Sequence, residues 1–361
     1  MLRRCVRGER TFLARRCASG SLLLLGLLAL APQSRAQTDL GPVTIGGGLR
    51  TSFVNTEPTG ADSTNQFLVN DARLYVNGSV TNKIKFMFNT DYNSATDTVN
   101  VLDAVAEIAL DPKFNIWAGR FLEPSDRANL YGPFYAHNWN VYTDGVQNGQ
   151  PSIFQGRDDG VAYWGDFGKK VKVKISAGAF DGRSADGDPD VLTAARVQLD
   201  FWDAEEGYYL NGTYYGDKNI LAIGGSTQIQ SGRTASNFDF LLERKLGNGG
   251  AFSIESEYAD YNGLGGYVPK SFKSQGAYVL GSYIFPKVVG VGKFEILGKF
   301  AKAESFGQAL SVSQKTTEVD FNYIIKQFNA RIMSFYDDTR FNRDSQVPKF
   351  WQAGIGLQVQ I

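Results

Sequence analysis

The chain has few residues that could do covalent chemistry, and many that could shape an electric field. It has one histidine, His137, and two cysteines, Cys5 and Cys17. A hydrolase built here would depend on the His137 imidazole as its base, with Tyr135 and Asn138 as sequence neighbours and no GxSxG element to supply a nucleophile. Metal chemistry is equally poor in ligands. Both cysteines precede the apolar leader core, so a soft ligand set cannot form in the exported chain, and only carboxylates suited to Ca²⁺ remain. The acidic stretch DGRSADGDPD (181–190) lacks the spaced ligands and closing Glu of a calcium loop and reads as a solvated loop. Gly46, Gly47 and Gly48 lie in a strand pattern, where they permit curvature rather than cradle a phosphate. No cofactor is expected. Lysines, arginines and carboxylates remain, and their chemistry is to attract, repel and filter ions in water.

Those charges alternate with apolar residues. Asp71, Arg73, Tyr75 and Asn77 interleave with Leu68, Ala72, Leu74, Val76 and Val80. Asp103 and Glu107 interleave with Leu102, Ala104, Ala106, Ile108 and Leu110, and Lys172, Lys174 and Ser176 with Val171, Val173, Ile175, Ala177 and Ala179. Near the end, Glu318, Asp320 and Asn322 interleave with Val319, Phe321, Tyr323 and Ile325. Period two puts one set on each face of a strand. The charged face carries Arg73, Lys85, Lys172, Lys174 and Arg196, with as many acids, including Asp91, Glu255, Glu257 and Asp320. Arg120, Glu123, Asp126, Arg127, Asp144 and Arg157 lie in or beside the longest non-repetitive segment, 121–156. These charges are the candidates for lining an aqueous passage, and Lys172 and Lys174 are the foremost cations, on the strand that follows that segment.

The elements that must hold them are strands of a wall. The first 36 residues have an arginine-rich start, an apolar run at 21–31 and small residues at Ser34 and Ala36, the pattern of a secretory signal cut before Gln37. Removing it takes away both cysteines, and leaves 30 basic against 36 acidic residues, a net charge of −6 that argues against nucleic-acid binding. No later segment approaches 18 consecutive apolar residues, so membrane-spanning helices are not expected. The last twelve residues, FWQAGIGLQVQI, are apolar at every second position, as in a closing strand that must pair with the first to leave no edge. Strand signals start near 43, 66, 84, 100, 114, 157, 171, 191, 207, 219, 235, 251, 275, 292, 315, 329 and 349. Short turns (81–83, 111–113, 167–170, 246–250, 326–328) alternate with longer loops (55–66, 93–99, 121–156, 181–190, 231–236, 262–274, 305–314, 338–348). The alternation holds only if 202–218 does not cross. That segment then becomes an excursion on the short-turn side, its tyrosines suited to the membrane interface, and sixteen strands remain. Tyr92, Phe114, Phe201, Trp202, Tyr258, Tyr283, Phe285 and Trp351 fall near strand ends, as the aromatic girdles of a membrane barrel do. The aromatic stretch LYGPFYAHNWNVY (130–142) is out of place on a solvated tip and is expected to fold inward.

Six segments carry a family resemblance: DARLYVNGSVTNKIKFMFNTDY (71–92), AEIALDPKFNIWAGRF (106–121), GRDDGVAYWGDF (156–167), NGTYYGDKNILAIGG (211–225), DFLLERKLGNGGAFSIESEY (239–258) and YIFPKVVGVGKFEILGKF (283–300). In order and spacing they resemble the phosphate-selective porin O and P family across nearly the whole exported chain. The resemblance implies an all-β, 16-stranded antiparallel transmembrane barrel in the bacterial outer membrane, usually trimeric, with the third extracellular loop folded inward as a constriction.

The expectation is therefore a signal peptide (1–36) and one barrel domain (37–361). Its partners would be small hydrophilic solutes or inorganic ions, phosphate or other anions among them, with outer-membrane lipid and two further copies of itself. The competing readings are an outer-membrane hydrolase centred on His137, a structural or adhesive barrel, and a soluble periplasmic β-protein. None of the charges has a catalytic role in the porin reading, because passive diffusion needs none.

Overall fold

The computed structural model describes residues 42–94, 96–146, 156–182, 190–265, 273–306, 311–342 and 347–361. Residues 1–41, which include the expected signal sequence, and most of DGRSADGDPD lie outside the described residues. Sixteen strands follow one another: β1 (Val43–Pro58), β2 (Thr64–Ser79), β3 (Ile84–Asn93), β4 (Thr98–Asp111), β5 (Phe114–Leu122), β6 (Arg157–Phe167), β7 (Lys172–Phe180), β8 (Leu192–Asp200), β9 (Ile220–Gln230), β10 (Arg233–Lys245), β11 (Ala251–Asn262), β12 (Lys273–Val289), β13 (Gly292–Phe306), β14 (Ser311–Lys326), β15 (Ala330–Phe341) and β16 (Phe350–Gln360). A short helix, α1 (Arg127–Tyr135), interrupts the series after β5. Each strand pairs antiparallel with the next, and β16 returns to pair with β1, closing the barrel. The seam runs in register from Gly48–Gln360 to Pro58–Phe350, and Gly47 and Ile361 exchange both backbone hydrogen bonds beyond it. No described helix is long and apolar enough to cross a membrane.

Side-chain alternation sorts the two faces as period two requires. On β14 Val319 and Phe321 stand outward at 49% and 53% exposure, while Glu318 and Asp320 point inward and are buried. Six exposed aromatics of those expected near strand ends fall at two levels, while Phe321 stands between them. Phe114, Phe201, Trp202 and Phe285 lie at the short-turn end, and Tyr258 and Trp351 at the opposite end.

Three details depart from the sequence reading. Leu68 and Leu102 were both expected on the outer face. Bulges shift the register between Arg50 and Thr51 against β2, leaving Asn70 unpaired there, and between Asn89 and Thr90 against β4, leaving Leu102 unpaired. One extra residue reverses the parity of what lies beyond it. Leu68 accordingly packs inside against Val54, Trp139, Met333 and Phe335, and Leu102 is wholly buried. Several loops expected to be long are tight, because strands run further than their apolar signal. Residues 231–232 alone join β9 to β10, and Asn55–Asn65 and Thr56–Thr64 extend the β1–β2 ladder through polar residues. Backbone bonding carries strands where side chains give no apolar pattern.

The third departure concerns 201–219. It forms no membrane-crossing strand, as the alternation required, but it does not lie along the interface. Tyr208 and Leu210 are buried, and the Leu210 and Gly212 amides donate to the Leu130 and Tyr135 carbonyls of the segment between β5 and β6. The excursion turns into the barrel from the short-turn end and meets a segment entering from the other end.

If the outward band faces hydrocarbon, a cation placed in it should cost stability by depth. Phe321→Arg, near mid-wall, should lose about 2–4 kcal/mol, and Thr317→Arg, nearer the rim, about 0–1 kcal/mol, in reversible denaturant unfolding from lipid vesicles. Equal costs at the two positions would show that this band does not lie against lipid.

Candidate constriction site

The segment after β5 begins as a helix because Asp126 caps it, its carboxylate accepting from the Asn129 amide at 2.5 Å. The helix is broken from within. Gly132 takes φ 61° and ψ 179°, outside the helical region, and Pro133 follows it without an N–H. The chain then runs extended along the inner wall, held by side chains of successive strands. The Tyr131 hydroxyl donates to Glu255 on β11 at 2.9 Å, and His137 Nε2 lies 2.8 Å from Glu295 on β13. The Asn138 and Asn140 amides donate to Glu318 on β14 and Asp337 on β15, at 2.8 and 2.5 Å. Arg331 on β15 donates to the Ala136 carbonyl at 2.7 Å, Gln358 on β16 to that of Phe134 at 2.9 Å, and Arg50 on β1 to that of Trp139 at 3.0 Å.

The 201–219 segment completes the interior. Arg127 of α1 reaches both carboxylate oxygens of Glu205, at 2.9 and 2.5 Å, and lies 3.5 Å from Asp239. Arg196 forks onto the same Asp239 at 2.5 and 2.8 Å. These groups are almost wholly buried, so each charge depends on its partner. The Glu243 carboxylate accepts from the Thr213 hydroxyl and from the Tyr214 and Gly216 amides. Gly212 comes so close that a Cβ there would sit 2.7 Å from the His137 backbone nitrogen. Trp117, Phe121, Phe180 and Tyr208 pack into one buried cluster on the β5–β8 side.

An opening adjoins the β1–β2 wall. A cavity of about 310 Å³ is bounded there by Arg50, Asn70, Asp71, Arg73 and Arg157 from the barrel and by Pro133, Trp139, Asn140, Val141, Tyr142 and Thr143 from the inward segment. Arg50 pairs with Asp71 at 2.8 Å and lies over the Trp139 ring at 4.0 Å. Arg73 pairs with Asp91 at 3.2 Å, and Arg157 lies 3.3 Å from Asp103. A second space, of about 480 Å³, opens at the short-turn end beside Asp111, Asp166, Lys172, Asp200, Glu205 and Glu206.

Of the charges selected from sequence, Arg73 and Arg157 meet at the first cavity. Arg127 and Arg196 meet in the buried network around Asp239. Asp126 is the helix cap, and Glu123 is buried beside Gln228, with burial first and the Asp158 carboxylate second pushing its carboxyl well above the usual range. Lys85 stands opposite Glu107 near the short-turn end; Lys172 and Lys174 lie on β7, the second strand after the long segment and not the one that follows it, and Lys172 borders the second cavity. Lys174 is buried, its ammonium donating to the Glu205 and Gly207 carbonyls, so it fixes the 201–219 segment. Arg120 shares its strand face with the outward Ala118 and Phe114 and forks onto Asp159 at 2.7 and 2.8 Å, on the outside of the barrel. The sequence reading missed Arg50. Its signal was present, since Arg50, Ser52 and Val54 continue one face of β1, but bare alternation did not separate it from other strand charges.

His137 has the neighbours a nucleophile relay would need. Its Nδ1 lies 3.4 Å from Ser253 Oγ, and Nε2 faces Glu295. Ser253 Oγ also lies 2.9 Å from Ser282 Oγ, and His137 and Ser253 are 0% and 3% exposed. A base must reach a substrate proton, and this imidazole is covered on all sides. What the arrangement does here is anchor the inward segment to β11 and β13. Among the described residues, no group of three or more His, Cys, Asp or Glu is placed to hold a metal.

No family model and no curated protein matches the chain. Solved structures do. OprB of Pseudomonas putida aligns with a TM-score of 0.61 at 8% identity, over 89% of this chain and 94% of that one. An anion-selective porin from Comamonas acidovorans aligns at 0.55 and 13% identity, over 88% and 99%. OmpT, an outer membrane protein of Vibrio cholerae solved in a trimer form, aligns at 0.56 and 14% identity, over 91% and 100%. At such identities the likeness is one of fold, and that fold is the closed, 16-stranded barrel of outer-membrane porins.

Proposed function

We propose that this chain is an outer-membrane porin, a water-filled channel for passive diffusion of small hydrophilic solutes and inorganic ions, with anions favoured. The observation that carries the reading is the cavity beside the β1–β2 wall, where Arg50, Arg73 and Arg157 face the backbone of a segment folded in from the long-loop end. A ring of cations at the narrowest point of a wet pore raises the local anion concentration and repels cations. Asp71, Asp91 and Asp103 stand beside these arginines, so the preference is moderate rather than absolute. Phosphate is one anion such a passage suits, in keeping with the resemblance to the phosphate-selective porin O and P family. In this reading the signal peptide is removed on export, the long connections face outward from the cell, and no catalysis is involved.

We further place the subunit contact of a homotrimer on the outer face of β4–β8. Ala106, Ala118, Val161, Ala179 and Thr193 form a row of small side chains there, whereas β12–β14 present Phe285, Phe300 and Phe321. Small residues let a second wall approach closely, and the Arg120–Asp159 pair next to the row is better covered by protein than by lipid.

In planar bilayers under a salt gradient, the wild-type reversal potential should show anion preference, and Arg50→Gln combined with Arg73→Gln should lower the anion-to-cation permeability ratio by several-fold, about 3–10. An unchanged ratio would remove the arginines from the selectivity site. The seat of the inward segment should also respond to pH. Burial alone would lower the His137 value, but the Glu295 carboxylate outweighs it and the imidazole is raised above its ordinary value near 6.5. Its contribution is therefore complete below that ordinary value and is lost as pH rises through the raised one. Thermal stability should fall in wild type as pH rises above the ordinary imidazole value, and the fall should be smaller in His137→Gln. Identical profiles in the two proteins would count against this anchor.

A further inference from the structure

The outer wall carries a line of cations that the channel reading does not use. Lys302 on β13 stands directly opposite Lys315 on β14, and Lys315 directly opposite Arg340 on β15. Lys349 takes the next place, one step beyond the Thr339–Phe350 pair, with its carbonyl accepting from the Thr59 amide at 2.9 Å. All four are exposed, and all lie at the long-loop end. With strands about 4.8 Å apart, the row spans about 15 Å.

Like charges directly opposite one another on a sheet are unfavourable. Nearby carboxylates relieve this only in part. Glu304 pairs with Lys302 at 2.6 Å and Asp338 with Arg340 at 2.7 Å, both at exposed positions where such pairs contribute little. Glu57 lies one strand further on, opposite Trp351. In the next outward row toward mid-wall, Phe300 and Trp351 flank Thr317 and Asp338. Beyond it the face is aromatic and aliphatic, with Val319, Ile355 and Tyr336, which stacks on Trp351. Cations just beyond the aromatic residues that border an apolar band sit at the level of lipid headgroups.

We propose that this row binds the phosphorylated headgroup of a membrane lipid in the leaflet on the long-loop side. The proposal rests on the reading of a lipid-embedded barrel made above. Phosphate oxygens would accept charge-assisted hydrogen bonds from adjacent side chains of the row, and the acyl chains would lie along the aliphatic band below.

Detergent-solubilised protein titrated with a bis-phosphorylated, acylated glucosamine disaccharide, and with its phosphate-free counterpart, tests this by native mass spectrometry. Wild type should bind the phosphorylated lipid about ten-fold more tightly than a variant carrying Lys302→Gln, Lys315→Gln, Arg340→Gln and Lys349→Gln, and the two proteins should bind the phosphate-free lipid alike. A Lys315→Gln variant alone should show a smaller loss, and Lys315→Arg should retain binding. Equal binding of phosphorylated lipid by wild type and the quadruple variant would overturn the proposal. So would equal binding of the two lipids by wild type, or loss of self-association in the variant with no dependence on lipid phosphate. Because none of these residues faces the lumen, single-channel conductance should be unchanged in every variant. A wild-type chain that opened no channels would count against the porin reading while leaving this binding comparison intact.

Discussion

A wall that meets hydrocarbon must satisfy its own backbone, because lipid offers no hydrogen bonds in exchange. This constraint explains most of the molecule. Sixteen strands each pair on both sides, the β1–β16 seam removes the two edges an open sheet would keep, and the terminal Ile361 is still tied to Gly47 beyond the last ladder pair. Once the backbone is closed in a cylinder, side-chain parity is the remaining freedom. The outward positions become apolar, and the inward ones are free to carry the charge from which a passage can be made.

The interior is filled by two segments entering from opposite ends, and this changes what the inward charges do. A lumen lined only by strand residues would leave its acids and bases in water. Here the segment after β5 and the 201–219 segment bury Arg127, Arg196, Glu205 and Asp239 into one network. Carboxylates on β11 and β13–β15 become hydrogen-bond acceptors for the inward segment. Arg50, Arg73 and Arg157 border the open space beside the β1–β2 wall, and Lys172 borders the space at the short-turn end. The same kind of residue is thus structural on one side of the barrel and available to ions on the other.

Much of this was legible in the chain. Period-two alternation located the strands, and the requirement that loop lengths alternate correctly removed 207–215 from the strand set. What alternation could not carry was any local break in its own period. The bulges at Asn70 and Leu102 reversed the faces of Leu68 and Leu102 because parity is counted along the chain, while a bulge is decided across it. Nor could it say where an inward charge ends up. Lys174 and Arg196 face in as read, but whether such a group meets water depends on a tertiary contact with 201–219 or α1 that has no sequence period. Arg120 was selected for its nearness to the long segment, although counting from Phe114 places it on the outside.

Arg331, Gln358 and Arg50 come from strands on either side of the place where the first and last strands are joined, and all three donate to carbonyls between Phe134 and Trp139. The inward segment therefore acts as a staple across the weld. Its ligands on β15 and β16 and its ligand on β1 come within reach of one another only when the cylinder is shut, so the fully seated staple requires the closed circle. A chain whose staple is damaged would suffer at its last joint as well as in its bore.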